Sequence, residues 1–179
     1  MKNRIMSLGF MMVLTGLFLS STVSAQGDKS QRPSPPATAS SKVDGATVTI
    51  NYSSPSVKGR KIWGDLVPYD KVWRSGANEA TIFETDKDIK VEGKTLAKGK
   101  YSLYTIPGEK EWTVIFNSAT GQWGINRDGS TTEDPTKDVL RVMVKPKKSA
   151  SANEKLIYKV DSKGFALLWE NLEVPVSIK

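Results

Sequence analysis

From Lys42 to the last residue, apolar and polar side chains alternate one for one in run after run, and this period of two limits the fold more than any other feature. Val48, Ile50 and Tyr52 alternate with Thr47, Thr49 and Asn51. Tyr101, Leu103 and Thr105 alternate with Ser102, Tyr104 and Ile106, and Trp112, Val114 and Phe116 alternate with Thr113, Ile115 and Asn117. Leu140, Val142 and Val144 repeat the pattern, as do Leu156, Tyr158 and Val160, then Phe165, Leu167 and Trp169, then Val174, Val176 and Ile178. Turn pairs separate the runs: Glu92-Gly93, Lys98-Gly99, Pro107-Gly108, Asp128-Gly129, Asp134-Pro135 and Lys163-Gly164. Short strands joined by polar, glycine-containing turns predict an all-β, antiparallel β-sandwich, jelly-roll-like or Ig-like, with little helix. No window has the helical period that a βαβ crossover requires.

One connection departs from the pattern. Residues 62–73 hold Trp63 and Trp73 around Gly64 and Pro68, which forbid a long helix, so an ordered loop or helical turn is expected. A connection that buries two tryptophans belongs to a core or to a site.

The amino-terminal region divides in two. Lys2 and Arg4, an uncharged apolar stretch from Leu8 to Leu19, and the small residues Val23-Ser24-Ala25 form the pattern of a signal peptide, predicted to span residues 1–25. The apolar run is shorter than the roughly 18–20 residues of a membrane-spanning helix, so an exported mature chain without a transmembrane segment is expected, periplasmic or secreted. Residues 26–41 are Gly, Ser, Pro, Ala, Thr and Gln-rich, with no large apolar residue. They read as a flexible leader, with docking along an edge of the domain as the alternative. A single β domain then covers residues 42–179.

The chain has no cysteine and no histidine. That excludes disulfide frameworks, thiol nucleophiles, Cys-ligated zinc and the Ser-His-Asp constellation, and removes the most frequent general base. No cofactor is expected. The formal charge of +7 falls to +5 once Lys2 and Arg4 leave with the signal peptide, too modest for a duplex-binding protein, and nucleic acid is not expected as a partner.

Four places could carry chemistry. Lys58, Arg60 and Lys61 precede Trp63: an arginine fork beside an indole face suits a phosphate or a sugar acid, and equally describes a solvated turn. Trp73, Arg74, Asn78 and Glu79 lie around Gly76 and form the best candidate, either orienting a polar ligand or pairing Arg74 with Glu79 internally. The carboxylates Asp65, Asp70, Glu79 and Glu84 are close in sequence, but glycoside cleavage needs two that face each other, which sequence alone does not establish. Residues 126–134 are rich in oxygen ligands, yet their spacing fails the calcium-loop pattern, so no metal is expected there. Trp123, between Gly121 and Gly124, is either a core plug or a stacking platform.

Residues 52–64 (YSSPSVKGRKIWG), 66–69 (LVPY) and 72–81 (VWRSGANEAT) resemble the domain-of-unknown-function 2911 family. Residues 99–108 (GKYSLYTIPG), 111–115 (EWTVI), 122–124 (QWG), 138–142 (DVLRV), 168–170 (LWE) and 174–176 (VPV) extend the resemblance over the whole domain. It implies an exported bacterial protein and no particular activity. Residues 126–136 are longer than the resemblance leads one to expect. The leading expectation is therefore a non-enzymatic module that binds a polar or anionic small molecule or glycan through Arg60, Trp63, Trp73, Arg74, Asn78 and Glu79. The rivals are a histidine-free hydrolase using Glu79 and a second carboxylate, and a structural protein of the cell envelope.

Overall fold

Asp44 and Gly45 both adopt left-handed backbone, with φ of 46° and 77°, the requirement of a two-residue type I′ turn. They join β1 (Pro36–Val43) to β2 (Ala46–Ser53) in a hairpin whose register runs from Val43 opposite Ala46 to Pro36 opposite Ser53. This computed structural model describes residues 28–179; the expected signal peptide lies outside the described residues. Residues 36–41, expected in the leader, are thus strand, and of its two readings the docked edge segment is the one found. The inward positions of β1 are Ala37, Ala39 and Ser41, partly buried, and Val43, fully buried at the strand's end, while outward positions are exposed. The three small residues cover little apolar surface, so backbone pairing to β2 and the anchor of Val43 in the core hold the strand.

The remaining strands are β3 (Thr81–Thr85), β4 (Ile89–Val91), β5 (Lys94–Leu96), β6 (Gly99–Ile106), β7 (Trp112–Asn117), β8 (Asp138–Val144), β9 (Lys147–Asp161) and β10 (Gly164–Ser177). All pairing between them is antiparallel, and the all-β class expected from the period-two runs is what the chain adopts. β1-β2-β3-β6-β7-β8 form one six-stranded sheet in chain order, interrupted only by the β4–β5 hairpin, whose Glu92-Gly93 turn repeats the two-positive-φ device. β9 and β10 form a separate long hairpin. The runs 165–169 and 174–178, expected as two strands, are continuous in β10 through Ser177, because register shifts around Glu170 (φ 53°) bend the strand without breaking it.

One core joins the sheet to the hairpin: Val48, Ile50, Phe83, Leu103, Trp112 and Phe116 from the sheet pack with Leu156, Tyr158, Phe165, Leu167 and Trp169 from the hairpin. β6 is buried on both faces. Its outer face carries Tyr104, which packs with Ala80 and Ile115 beneath the connections before β3 and after β7. Gln122 seals that cover, its amide donating to the Tyr104 hydroxyl at 2.7 Å and to Ser102 Oγ at 3.1 Å. Among the described residues no helix is long and apolar enough to cross a membrane.

Candidate functional site

The connection between β2 and β3 is held at its middle by Trp73, whose amide donates to the Thr105 carbonyl (2.7 Å) and whose carbonyl accepts from the Thr105 amide (2.9 Å). Trp73 thereby extends β6 pairing beyond the start of β3. Its ring stacks on Trp169 (centroids 6.0 Å, 16° between planes), while Trp63 crosses both rings nearly at right angles and Trp112 meets Trp73 and Trp63 edge-on. Such aromatic pairs contribute roughly 0.5–1.5 kcal/mol each beyond area burial, so the four rings fix the connection tightly. Trp63 is 8% exposed and lies in the core, whereas Trp73 is half-buried.

Residues 74–80 then fold over a polar scaffold. Ser75 and Asn78 both have left-handed backbone, φ of 55° and 59°, a conformation that costs a non-glycine residue about 1–3 kcal/mol unless its surroundings enforce it. Here they do. The Ser75 carbonyl accepts from Thr81 Oγ1 (3.0 Å) and from the Tyr158 hydroxyl (2.9 Å), and Ser75 Oγ donates to Thr105 Oγ1 (3.0 Å). Full burial pushes the Tyr158 phenol far up, so it is a fixed neutral donor. Gly76 is required for space: a Cβ there would lie 2.8 Å from Thr81 Oγ1 and 3.2 Å from the Ser53 carbonyl.

This scaffold presents Arg74 and Asn78 to a cavity of about 710 Å³ between the 60–73 connection and the 125–131 loop. Arg74 is half-buried, its Nη1 donates to the Asn78 carbonyl at 3.0 Å, and burial pulls its pKa below the ordinary value, opposed by the charge of Glu79. The Arg74 stem passes so close to Gly124 that any side chain at 124 would displace it. Arg60 and Lys71 also line the cavity, the Arg60 guanidinium held by the Ser56 and Val57 carbonyls. Its walls include Trp73 and Trp169, then Leu66, Val67 and Pro68 on one side and Ile125 on the other. Three cations line it, and none of the described Asp or Glu residues does.

Of the six residues expected from sequence, Arg60, Trp73, Arg74 and Asn78 line the cavity; Trp63 and Glu79 do not. The alternative Arg74–Glu79 pair is not formed, because Arg74 bonds to the Asn78 carbonyl instead. Glu79 faces the amino-terminal segment, where it accepts from Arg32 Nη1 (2.9 and 3.0 Å) and Lys29 Nζ (3.0 Å). Desolvation pushes its carboxyl up, but its own amide, Lys29 and Arg32 outweigh that and hold it at about 2. Arg32 also lies 5.8 Å over the Trp123 ring, which is 48% exposed and is neither core nor cavity wall. The Asn78 side chain donates to the Ser34 carbonyl (2.9 Å), and Ser34 itself lines the cavity.

Sequence reasoning missed Lys71, Trp169 and the Ile125–Thr131 wall. Trp169 was legible as an inward strand position, but not as one that ends at a cavity. Asp128 and Asp134, weighed as calcium ligands, each accept from an amide and a hydroxyl two residues on, closing local turns. Among the described residues no three acidic side chains gather as a metal site would need.

Fold and site together define an antiparallel all-β protein with a tryptophan-floored, cation-lined cleft. The chain belongs to the domain-of-unknown-function 2911 family, described as a protein of unknown function, whose model matches residues 34–178. That span begins just before β1, in agreement with β1 being part of the domain. No curated protein and no solved structure matches the chain.

Proposed function

We propose that this is an exported, non-enzymatic module that binds an anionic small molecule in the cleft between the 60–73 connection and the 125–131 loop. The observation that carries the reading is the charge of the wall: Arg60, Lys71 and Arg74 line it and no described carboxylate does. Arg74 is half-buried and carries a desolvation penalty that a bound anion would offset, with the exposed Arg60 and Lys71 in the same wall. The volume of about 710 Å³ falls within the roughly 300–1,000 Å³ of small-molecule sites. A carboxylate-pair hydrolase finds less support, since Glu79 is engaged by Lys29 and Arg32 and faces away from the cleft wall.

A thermal-shift panel of carboxylates, phosphates and sugar acids tests the reading. A true ligand at one hundred times its dissociation constant adds about 2.7 kcal/mol, which raises the melting temperature by roughly 5–10 °C at this size. Stabilisation that vanishes in Arg74→Ala supports the proposal. No stabilisation by any anion, or an equal response in the variant, contradicts it. Export is tested separately by amino-terminal sequencing of the mature chain, expected to begin at Gln26; retention of Met1 contradicts it.

A further inference from the structure

The cleft's free hydrogen-bonding capacity narrows the ligand class further, and this step rests on the binding reading above. A glycan site needs neutral donors and acceptors arranged to meet several hydroxyl groups. The neutral polar side chains in this wall are few, and two of the four are engaged within the protein. Asn78 Nδ2 donates to the Ser34 carbonyl (2.9 Å), and Ser130 Oγ donates to Asp128. Beside the small hydroxyls of Ser34 and Thr131, the donors that remain available are charged: the Lys71 ammonium and the unengaged N–H groups of Arg74 and Arg60.

The rest of the wall is apolar. Trp73 and Trp169 form the floor, and Leu66, Val67, Pro68 and Ile125 form the sides. Leu66 stands at 44% exposure, one of few large apolar side chains so exposed, and it borders this cleft. Burying such surface contributes about 25 cal/mol per Å², so an apolar ligand body gains energy here that a hydrated sugar does not. The Trp73 and Trp169 rings are near-parallel with centroids 6.0 Å apart, too close for a third ring to enter between them. A ligand ring in this cleft would lie against the part-exposed Trp73 surface, and Arg74 lines the same cavity.

From this division of the wall we infer that the ligand is an amphipathic anion: a carboxylate carried on a flat aromatic body. Trp73 and the Leu66–Pro68 side hold the body, and Arg74 with Lys71 holds the acid. A planar fork on Arg74 meets a carboxylate in two hydrogen bonds, which a neutral hydroxyl does not offer.

Tryptophan fluorescence and calorimetric titration with four probes test this: a naphthalene carboxylate, the matching naphthalene methanol, glucuronate and inorganic phosphate. The carboxylate is expected to bind at least about tenfold more tightly than each of the other three. Arg74→Gln and Lys71→Gln should each shrink the preference for acid over alcohol. Leu66→Ser, at an exposed loop position, should weaken the aromatic acid several-fold and leave glucuronate unchanged. Circular dichroism of each variant checks the fold, and Lys71→Gln, exposed in the free protein, keeps the test open should Arg74→Gln misfold. Glucuronate or phosphate binding as tightly as the aromatic acid overturns the amphipathic assignment while the anion cleft stands. Equal binding of acid and alcohol overturns the role of Arg74 and Lys71, and no binding by any probe removes both readings.

Discussion

Substituting Gly76 by alanine tests the claim that the 73–81 segment is a rigid shelf for Arg74 and Asn78. Gly76 is buried, and its backbone is not in the left-handed region, so alanine meets no dihedral penalty there. The cost is steric. The new Cβ falls 2.8 Å from Thr81 Oγ1 and 3.2 Å from the Ser53 carbonyl, and the second of these is backbone within β2. Overpacking of this kind costs about 1–3 kcal/mol. If Thr81 rotates away to relieve it, the hydroxyl loses its bond to the Ser75 carbonyl, a further 0.5–1.5 kcal/mol or so. The Ala77 amide bond to the Ser53 carbonyl (3.2 Å) is strained by the same movement. A total near 2–4 kcal/mol lowers the melting temperature by roughly 5–12 °C for a domain of this size. Gly93→Ala is the control: nothing lies within 4 Å of its Cβ, but its φ of 79° imposes only the left-handed penalty of about 1 kcal/mol. Differential scanning calorimetry of both variants decides the matter. A Gly76→Ala protein as stable as wild type, or more stable than Gly93→Ala, refutes the close-packed shelf.

Other expectations follow from the same geometry. Glu79→Gln removes the partner of Lys29 and Arg32; with the Glu79 side chain 37% exposed these pairs are screened, so together they contribute about 1 kcal/mol or less at neutral pH. Because the folded carboxyl is held at about 2, below its ordinary value near 4.5, that stability is present above about pH 4.5 and lost as pH falls toward 2. The melting temperatures of wild type and Glu79→Gln should therefore converge in acid, and a gap that widens there contradicts the assignment. Gly124→Ala, by displacing the Arg74 stem, should weaken anion binding several-fold while leaving the far-ultraviolet spectrum unchanged; unaltered affinity contradicts the packing. A chain beginning at Lys42 lacks most of β1 and leaves β2 an unpaired edge, so it should aggregate, whereas one beginning at Pro33 should stay soluble. Equal solubility of the two would show that β1 is dispensable.

The period-two runs carried most of the fold because half-buried antiparallel strands print their inward face on the sequence. β1 escaped for a specific reason: upstream of Val43 its inward residues are Ala37, Ala39 and Ser41, which do not register as an apolar face. The Asp44-Gly45 pair was the available signal, since a two-residue loop of that type requires a strand on both sides. β4 and β5, three residues each, are too short to show a period, though their Glu92-Gly93 turn was visible. At the site, the density of aromatic and hydrogen-bonding residues in 73–79 identified Trp73, Arg74 and Asn78. Trp63 and Glu79 were drawn in by proximity in sequence, but the chain reverses between them and its neighbours. Trp63 turns into the core, and Glu79 turns toward a segment more than forty residues upstream, a pairing no local pattern encodes. Ile125 and Lys71 reach the cleft only through the tertiary arrangement of two connections.

The most direct measurement is an NMR titration of isotopically labelled protein with an aromatic carboxylate, following backbone amides, the five tryptophan indoles and the arginine side chains. The account predicts saturable shifts for residues 66–78 and 125–131, for the Trp73 and Trp169 indoles and for the Arg74 guanidinium, with the Trp123 indole unmoved. Shifts centred on Trp123 or on the β9–β10 hairpin away from Trp169, or none at saturating ligand, would contradict it.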